Sequence, residues 1–107
     1  MKRGDVWWVE FDPAIGSEIS KTRLAIIVSN DTANKFLARI IVVPLTSNVT
    51  RVYPGEAVVL VNSTKNKAMT DQIMSADKSR LKNKIAVLSE SDMTSVEAAM
   101  KLFLVLP

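Results

Sequence analysis

Three side chains in the first half of this sequence are of the types and spacing that act on a phosphodiester: Glu18, Arg23 and Thr46. The stretch GSEISKTRLAIIVSN, residues 16–30, runs a polar loop with Glu18, Lys21 and Arg23 straight into an apolar run. RIIVVPLTSN, residues 39–48, has the reverse order, with a β-branched run stopped by Pro44 and emptying into Thr46, Ser47 and Asn48. If the two runs pair as strands, a carboxylate, a guanidinium and a hydroxyl meet at one rim. The planar fork of Arg23 suits phosphate oxygens, and one preorganised donor to a developing charge is worth on the order of a hundred- to a thousand-fold in rate. The hydroxyl of Thr46 can orient a phosphate oxygen or Arg23 itself. Glu18 can serve as base if burial raises its pKa, or it can simply hold Arg23. The chemistry that fits is internal transfer in RNA. There the ribose 2′-hydroxyl attacks the adjacent phosphorus, one proton leaves, another arrives, and a phosphorane must be stabilised. The blander alternative is a strand-end arginine paired with Glu18 or Asp31, and residue types alone favour it.

Composition narrows the choice of groups. The chain has no Cys, so thiolate zinc sites, cysteine nucleophiles and disulfides are excluded. It has no His either, which removes the imidazole ligand and the one side chain whose unperturbed pKa lies near neutrality. Gly-rich phosphate loops, nucleophile elbows and metal-ligand clusters are missing from the sequence, and no cofactor is expected. A net charge of +3 permits nucleic-acid contact without requiring it. With 107 residues the expectation is a single domain over 1–107, and an apolar fraction of 48% with mean hydropathy +0.15 points to a second copy covering surplus apolar surface. Asp5 and Glu10 interrupt the N-terminal apolar stretch, and no uncharged window reaches membrane-spanning length. The expectation is therefore a cytoplasmic protein without membrane contact.

The elements that must position these groups follow from periodicity. Strands are expected over residues 6–11, 23–29, 40–43, 56–61, 68–75 and 85–88, with 23–29 apolar enough to be buried on both faces. Residues 12–22 read as a loop, 30–37 as a connector with room for a helical turn, and 62–67 as a hairpin turn carrying cations at its tip. Ser75 is the expected cap of a short helical piece over 76–81. At the end, Met93, Val96, Met100, Phe103 and Leu104 recur at helical spacing over 91–106, with the start marked by Ser89 and Asp92 or by Thr94 and Glu97. Trp7 and Trp8 must face opposite ways, so one of them needs cover outside the primary core. Packing is the simpler role for both, and Phe11, beside the loop, is the aromatic better placed to meet a base. Short strands with one terminal helix predict a mainly β fold, a small, strongly curved antiparallel barrel closed by the helix.

GDVWWVEFDPAIGSE, an arginine leading an aliphatic strand that ends in SN, VVPLTSN, and DQI-x-S-x-D-x-x-RL follow one another over nearly the whole chain. In order and spacing they resemble the MazF/PemK family of toxin endoribonucleases, which shares the Kid and CcdB fold. The resemblance implies an SH3-like β-barrel with a C-terminal helix, a homodimer, and metal-independent cleavage of single-stranded mRNA at a short sequence. It also implies a cognate antitoxin whose C-terminal segment covers the RNA groove. By the same resemblance Arg23 and Thr46 are the catalytic pair, aided by Glu18, while Ser17, Lys21, Thr22, Ser47, Asn48, Asp71 and Gln72 lie along the RNA. Two positions depart from the family pattern. Leu24 stands where proline usually follows the arginine, freeing φ and adding a backbone donor, and Met74 stands where a cation usually follows Gln-Ile. The fold leaves two other activities open: a non-catalytic toxin that poisons a protein such as DNA gyrase, and an attenuated member that only binds RNA or antitoxin.

Overall fold

The computed structural model describes residues 1–107. Seven antiparallel strands form one curled sheet with a C-terminal helix packed on it, a half-barrel. In chain order these are β1 (Asp5–Glu10), β2 (Thr22–Ile27), the short helix α1 (Asp31–Phe36), β3 (Arg39–Thr46), β4 (Ala57–Val61), β5 (Thr64–Ala68), β6 (Met74–Asp77), β7 (Leu81–Val87) and α2 (Glu90–Leu104). The strand order is β4-β5-β3-β2-β1-β7, and β6 pairs with the other end of β3.

The run at 23–29 is buried on both faces, as its composition predicts. Ile26 and Val28 enter one core with Val6, Val43, Val59 and Val96, whereas Ala25 and Ile27 enter a second core with Val9, Phe11, Ile40 and Val42. The first core is closed by the β4–β5 hairpin and by the apolar stripe Met93, Val96 and Ala99 of α2. Ser89 caps that helix, its side chain accepting the Asp92 N–H, so of the two candidate starts the first holds.

Three expectations are corrected. Residues 62–67 are not a turn: Asn62 and Ser63 alone reverse the chain, with φ of 48° and 67°, and Val61 pairs directly with Thr64. Two consecutive positive φ angles are what a two-residue hairpin needs to match the strand twist. Lys65 and Lys67 therefore stand in a strand, on the solvent side of its alternation. The proposed strand at 68–75 is broken by a 3-10 turn at Thr70–Gln72, because buried Thr70 turns its hydroxyl to the Gly55 carbonyl. The helical piece at 76–81 shrinks to one 3-10 turn, Lys78–Arg80, capped by Asp77, whose side chain accepts the Ser79 N–H at 2.9 Å, and not by Ser75, which lies in β6.

Candidate active site

β2 and β3 are neighbours with Ala25 opposite Pro44, Ile26 opposite Val43 and Ile27 opposite Val42. Continuing that register outward brings Arg23 opposite Thr46, on one face of the pair. The ladder itself stops at Ala25 and Pro44, and beyond that point β3 continues to pair on its other edge with β5, Leu45 to Ala68 and Thr46 to Lys67. Where the strands part, a depression opens, lined by Trp8, Thr22, Arg23, Leu24, Leu45, Thr46, Ser47 and Asn66. Its lining holds one charged side chain, that of Arg23.

Arg23 is half-buried and forms no ion pair, so the strand-end pairing with Glu18 or Asp31 that residue types favoured is not what forms. Its Nε donates to the Ser20 carbonyl at 3.0 Å, which directs the guanidinium without neutralising it. Asp31 is engaged elsewhere, accepting the Arg3 N–H at 2.7 Å, and that bond holds its carboxyl below the ordinary value of 3.8. The Oγ1 of Thr46 accepts the Asn48 N–H at 3.2 Å, the expected turn contact, while its own hydrogen stays free to donate. Asn48 in turn accepts the Thr50 N–H.

Glu18 is not brought to Arg23. It lies in a second depression with Phe11, Ile19, Asp71, Gln72 and Met74, and its carboxylate accepts the N–H of Ile15, three residues back. A loop carboxylate meets an unpaired N–H of its own turn with little loss of chain freedom, and here that local partner wins over a more distant cation. The 11–21 loop thus feeds Glu18 to one depression and Thr22 and Arg23 to the other. It is tied down by the Ile19 N–H on Gln72 and by Arg80, whose Nη1 donates to the carbonyls of Glu10 at 3.0 Å and Asp12 at 2.7 Å. Lys21 closes the loop with a φ of 66°. Ser17, Lys21 and Asn48 are exposed and line neither depression.

The aromatic expectation is reversed as well. Phe11 is 3% exposed and belongs to the second core, whereas Trp8 is 37% exposed and forms a wall of the Arg23 depression. Trp7 packs against the second core with its Nε1 lacking a partner. Leu24 faces Trp8 across the β1–β2 pair and packs on the first core, and Met74 packs on the second, so both departures from the family pattern sit in regular strands. Asn66, also in the lining, went unnoticed in the sequence because it lay in a segment read as a turn. Its signal was its place between Lys65 and Lys67, where strand alternation points inward.

Residues 2–104 match the model of the PemK-like, MazF-like toxins of type II toxin–antitoxin systems. The chain belongs to that family. Endoribonuclease MazF9 of Mycobacterium tuberculosis is 39% identical over 113 residues, covering 97% of this chain and 96% of the relative. Endoribonuclease MazF of Staphylococcus epidermidis is 33% identical, covering 97% and 91%. Among solved structures, MazF of Deinococcus radiodurans superposes with a TM-score of 0.87 at 22% identity over 99% of this chain and 97% of that one. A mycobacterial endoribonuclease solved with its cognate antitoxin gives 0.83 at 23%, over 100% and 97%. These likenesses carry the fold of this MazF-like chain. No helix in it is long and apolar enough to cross a membrane.

Proposed function

We propose that this MazF-like toxin cleaves single-stranded mRNA at a short sequence, without a metal, by attack of a 2′-hydroxyl on the adjacent phosphorus. The products are a 2′,3′-cyclic phosphate and a 5′-hydroxyl, and the consequence in the cytoplasm is arrested translation and growth. The observation that carries this reading is a half-buried arginine with no carboxylate partner, opposite a threonine, in a depression with no acidic side chain. A group already neutralised by a carboxylate would offer little to a phosphorane, whereas a free fork offers two parallel donors.

In this reading Arg23 stabilises the extra charge on phosphorus and Thr46 donates its free hydrogen to a phosphate oxygen. Trp8 supplies a face on which a base stacks. Thr22 and Ser47 hold the backbone beside the scissile group, while Ser17, Lys21, Asn48, Asp71 and Gln72 border the strand on either side. Glu18 becomes the base by exchanging its bond to the Ile15 N–H for one to the ribose hydroxyl, a movement of the exposed loop. The unit is a homodimer, since Val52, Tyr53, Leu102, Phe103 and Leu104 leave apolar surface in water. The cognate antitoxin inhibits by laying a C-terminal segment along the RNA groove.

The test is digestion of unstructured RNA in EDTA, with product ends identified by mass and cut sites mapped by sequencing. Cleavage with a cyclic phosphate is expected, abolished by Arg23→Ala and by Thr46→Ala in folded protein. Intact RNA with the wild-type protein would refute the reading.

A further inference from the structure

The interior face of the β4–β5 hairpin is apolar at Ala57, Val59, Val61 and Ala68, and polar at Asn66, which is 5% exposed. Asn66 pairs with Val59 across the hairpin, so it occupies a core position by register. Its Nδ2 donates to the Thr64 carbonyl at 3.3 Å. That bond fixes which way the amide points, because turning it over would set two oxygens against each other. The Oδ1 has no partner in the chain, yet Trp7 Nε1 is the sole buried side-chain polar atom left unpaired, so Oδ1 is reachable from outside. The opening it lines is the depression of Trp8, Arg23 and Thr46.

We propose that Asn66 is a base-reading residue of this toxin, accepting through Oδ1 the exocyclic amino group of an adenine or cytosine lodged beside the cleaved phosphate. The second Nδ2 hydrogen completes the contact to the neighbouring ring nitrogen. A carboxamide offers an acceptor beside a donor, the complement of an amino group beside an unprotonated ring nitrogen. Uracil and hypoxanthine turn a carbonyl toward Oδ1 instead, oxygen against oxygen. Trp8 in the same lining supplies the stacking surface, and stacking tolerates any base, so selection falls to the one buried polar group. Thr22 and Ser47 also line the site, but both are exposed and free to turn to water. The assignment rests on the RNA-cleaving reading above.

The experiment compares cleavage of paired substrates by the wild-type protein. Once the cut motif is mapped, each adenine in it is replaced by hypoxanthine and each cytosine by uracil, one position at a time. At one position the exchange of amino for carbonyl should slow cleavage on the order of ten- to a hundred-fold. Asn66→Ala and Asn66→Leu, the second refilling the space with apolar atoms, should bring that ratio to about one while thermal melts show both folded. The proposal is overturned if wild type discriminates at no position, or if the folded variants keep the full ratio. It is equally overturned if both folded variants lose all cleavage, which would place Asn66 in the chemistry and not in base choice. If wild type cuts no RNA at all, the cleavage reading falls first. Cleavage without discrimination removes this inference alone.

Discussion

Replacing Arg23 by lysine keeps the charge and removes the fork, so it separates what the guanidinium does for the fold from what it does for the reaction. In the fold Arg23 makes one bond, Nε to the Ser20 carbonyl at 3.0 Å, and no ion pair. Removing it leaves no buried carboxylate without a partner, so the loss should be about 1 kcal/mol, the worth of a single hydrogen bond on a half-exposed group. For a chain of this size that is a fall of roughly 5 °C in Tm. The expected effect on the reaction is much larger. A fork aimed at the phosphorane supplies two donors, and an ammonium on a flexible stem restores at most one of them in a different place. Single-turnover cleavage should therefore slow on the order of a hundred- to a thousand-fold, about 3–4 kcal/mol of transition-state stabilisation. The assay is a short RNA carrying the mapped motif between a fluorophore and a quencher, run beside thermal melts of the same preparations. A rate within about tenfold of wild type would show that charge alone suffices, against the roughly hundredfold expected for a lost preorganised donor. A rate that falls only in step with unfolding would show that Arg23 is structural.

Two further predictions concern the scaffold. Ser89→Ala removes the acceptor of the Asp92 N–H at 3.1 Å and should cost about 1 kcal/mol, read as a lower urea midpoint at unchanged slope. Asp77 is held below its ordinary pKa of 3.8 by the hydroxyl and backbone N–H of Ser79, so it binds its proton less readily folded than unfolded. Its contribution is therefore present above 3.8 and lost as pH falls through the lowered folded value. Urea titrations in that acid range should show a shallower loss of stability for Asp77→Asn than for wild type, and identical slopes would refute the linkage.

What was legible in the sequence had a short-range cause. The run at 23–29 declared a doubly buried strand through its composition, and α2 declared itself through three- and four-residue spacing, because in both the buried face is written in consecutive side chains. β5 was illegible for the opposite reason. Lys65 faces solvent, Lys67 lies on the same outer face paired with Glu56, and Asn66 takes the inward position, so TKNKA has no apolar alternation, and its strand character comes from β3 and β4 on either side. The same limit governed the aromatics. Alternation requires Trp7 and Trp8 to part, but which of them is covered depends on where a distant hairpin and helix close over the sheet.

The depression lies past the end of the β2–β3 ladder at Pro44, and this explains why the pairing of Arg23 with Thr46 could be anticipated while the cavity between them could not. Pro44 has no N–H, so a strand through it must lose a ladder bond somewhere. It lies where β3 changes partner, between Val42, paired with Met74 of β6, and Leu45, paired with Ala68 of β5. There the Met69 N–H donates to the Pro44 carbonyl and no bond can return. Past Pro44, β3 continues against β5, and its pairing with β2 ends at that same residue. Continuing the register past the last pair brings Leu24 opposite Leu45 and then Arg23 opposite Thr46. Arg23 and Thr46 both line the depression and lie on one face of the strand pair, but no backbone ladder joins them there, so the register of the apolar runs shows which residues are opposed and not that the strands part between them.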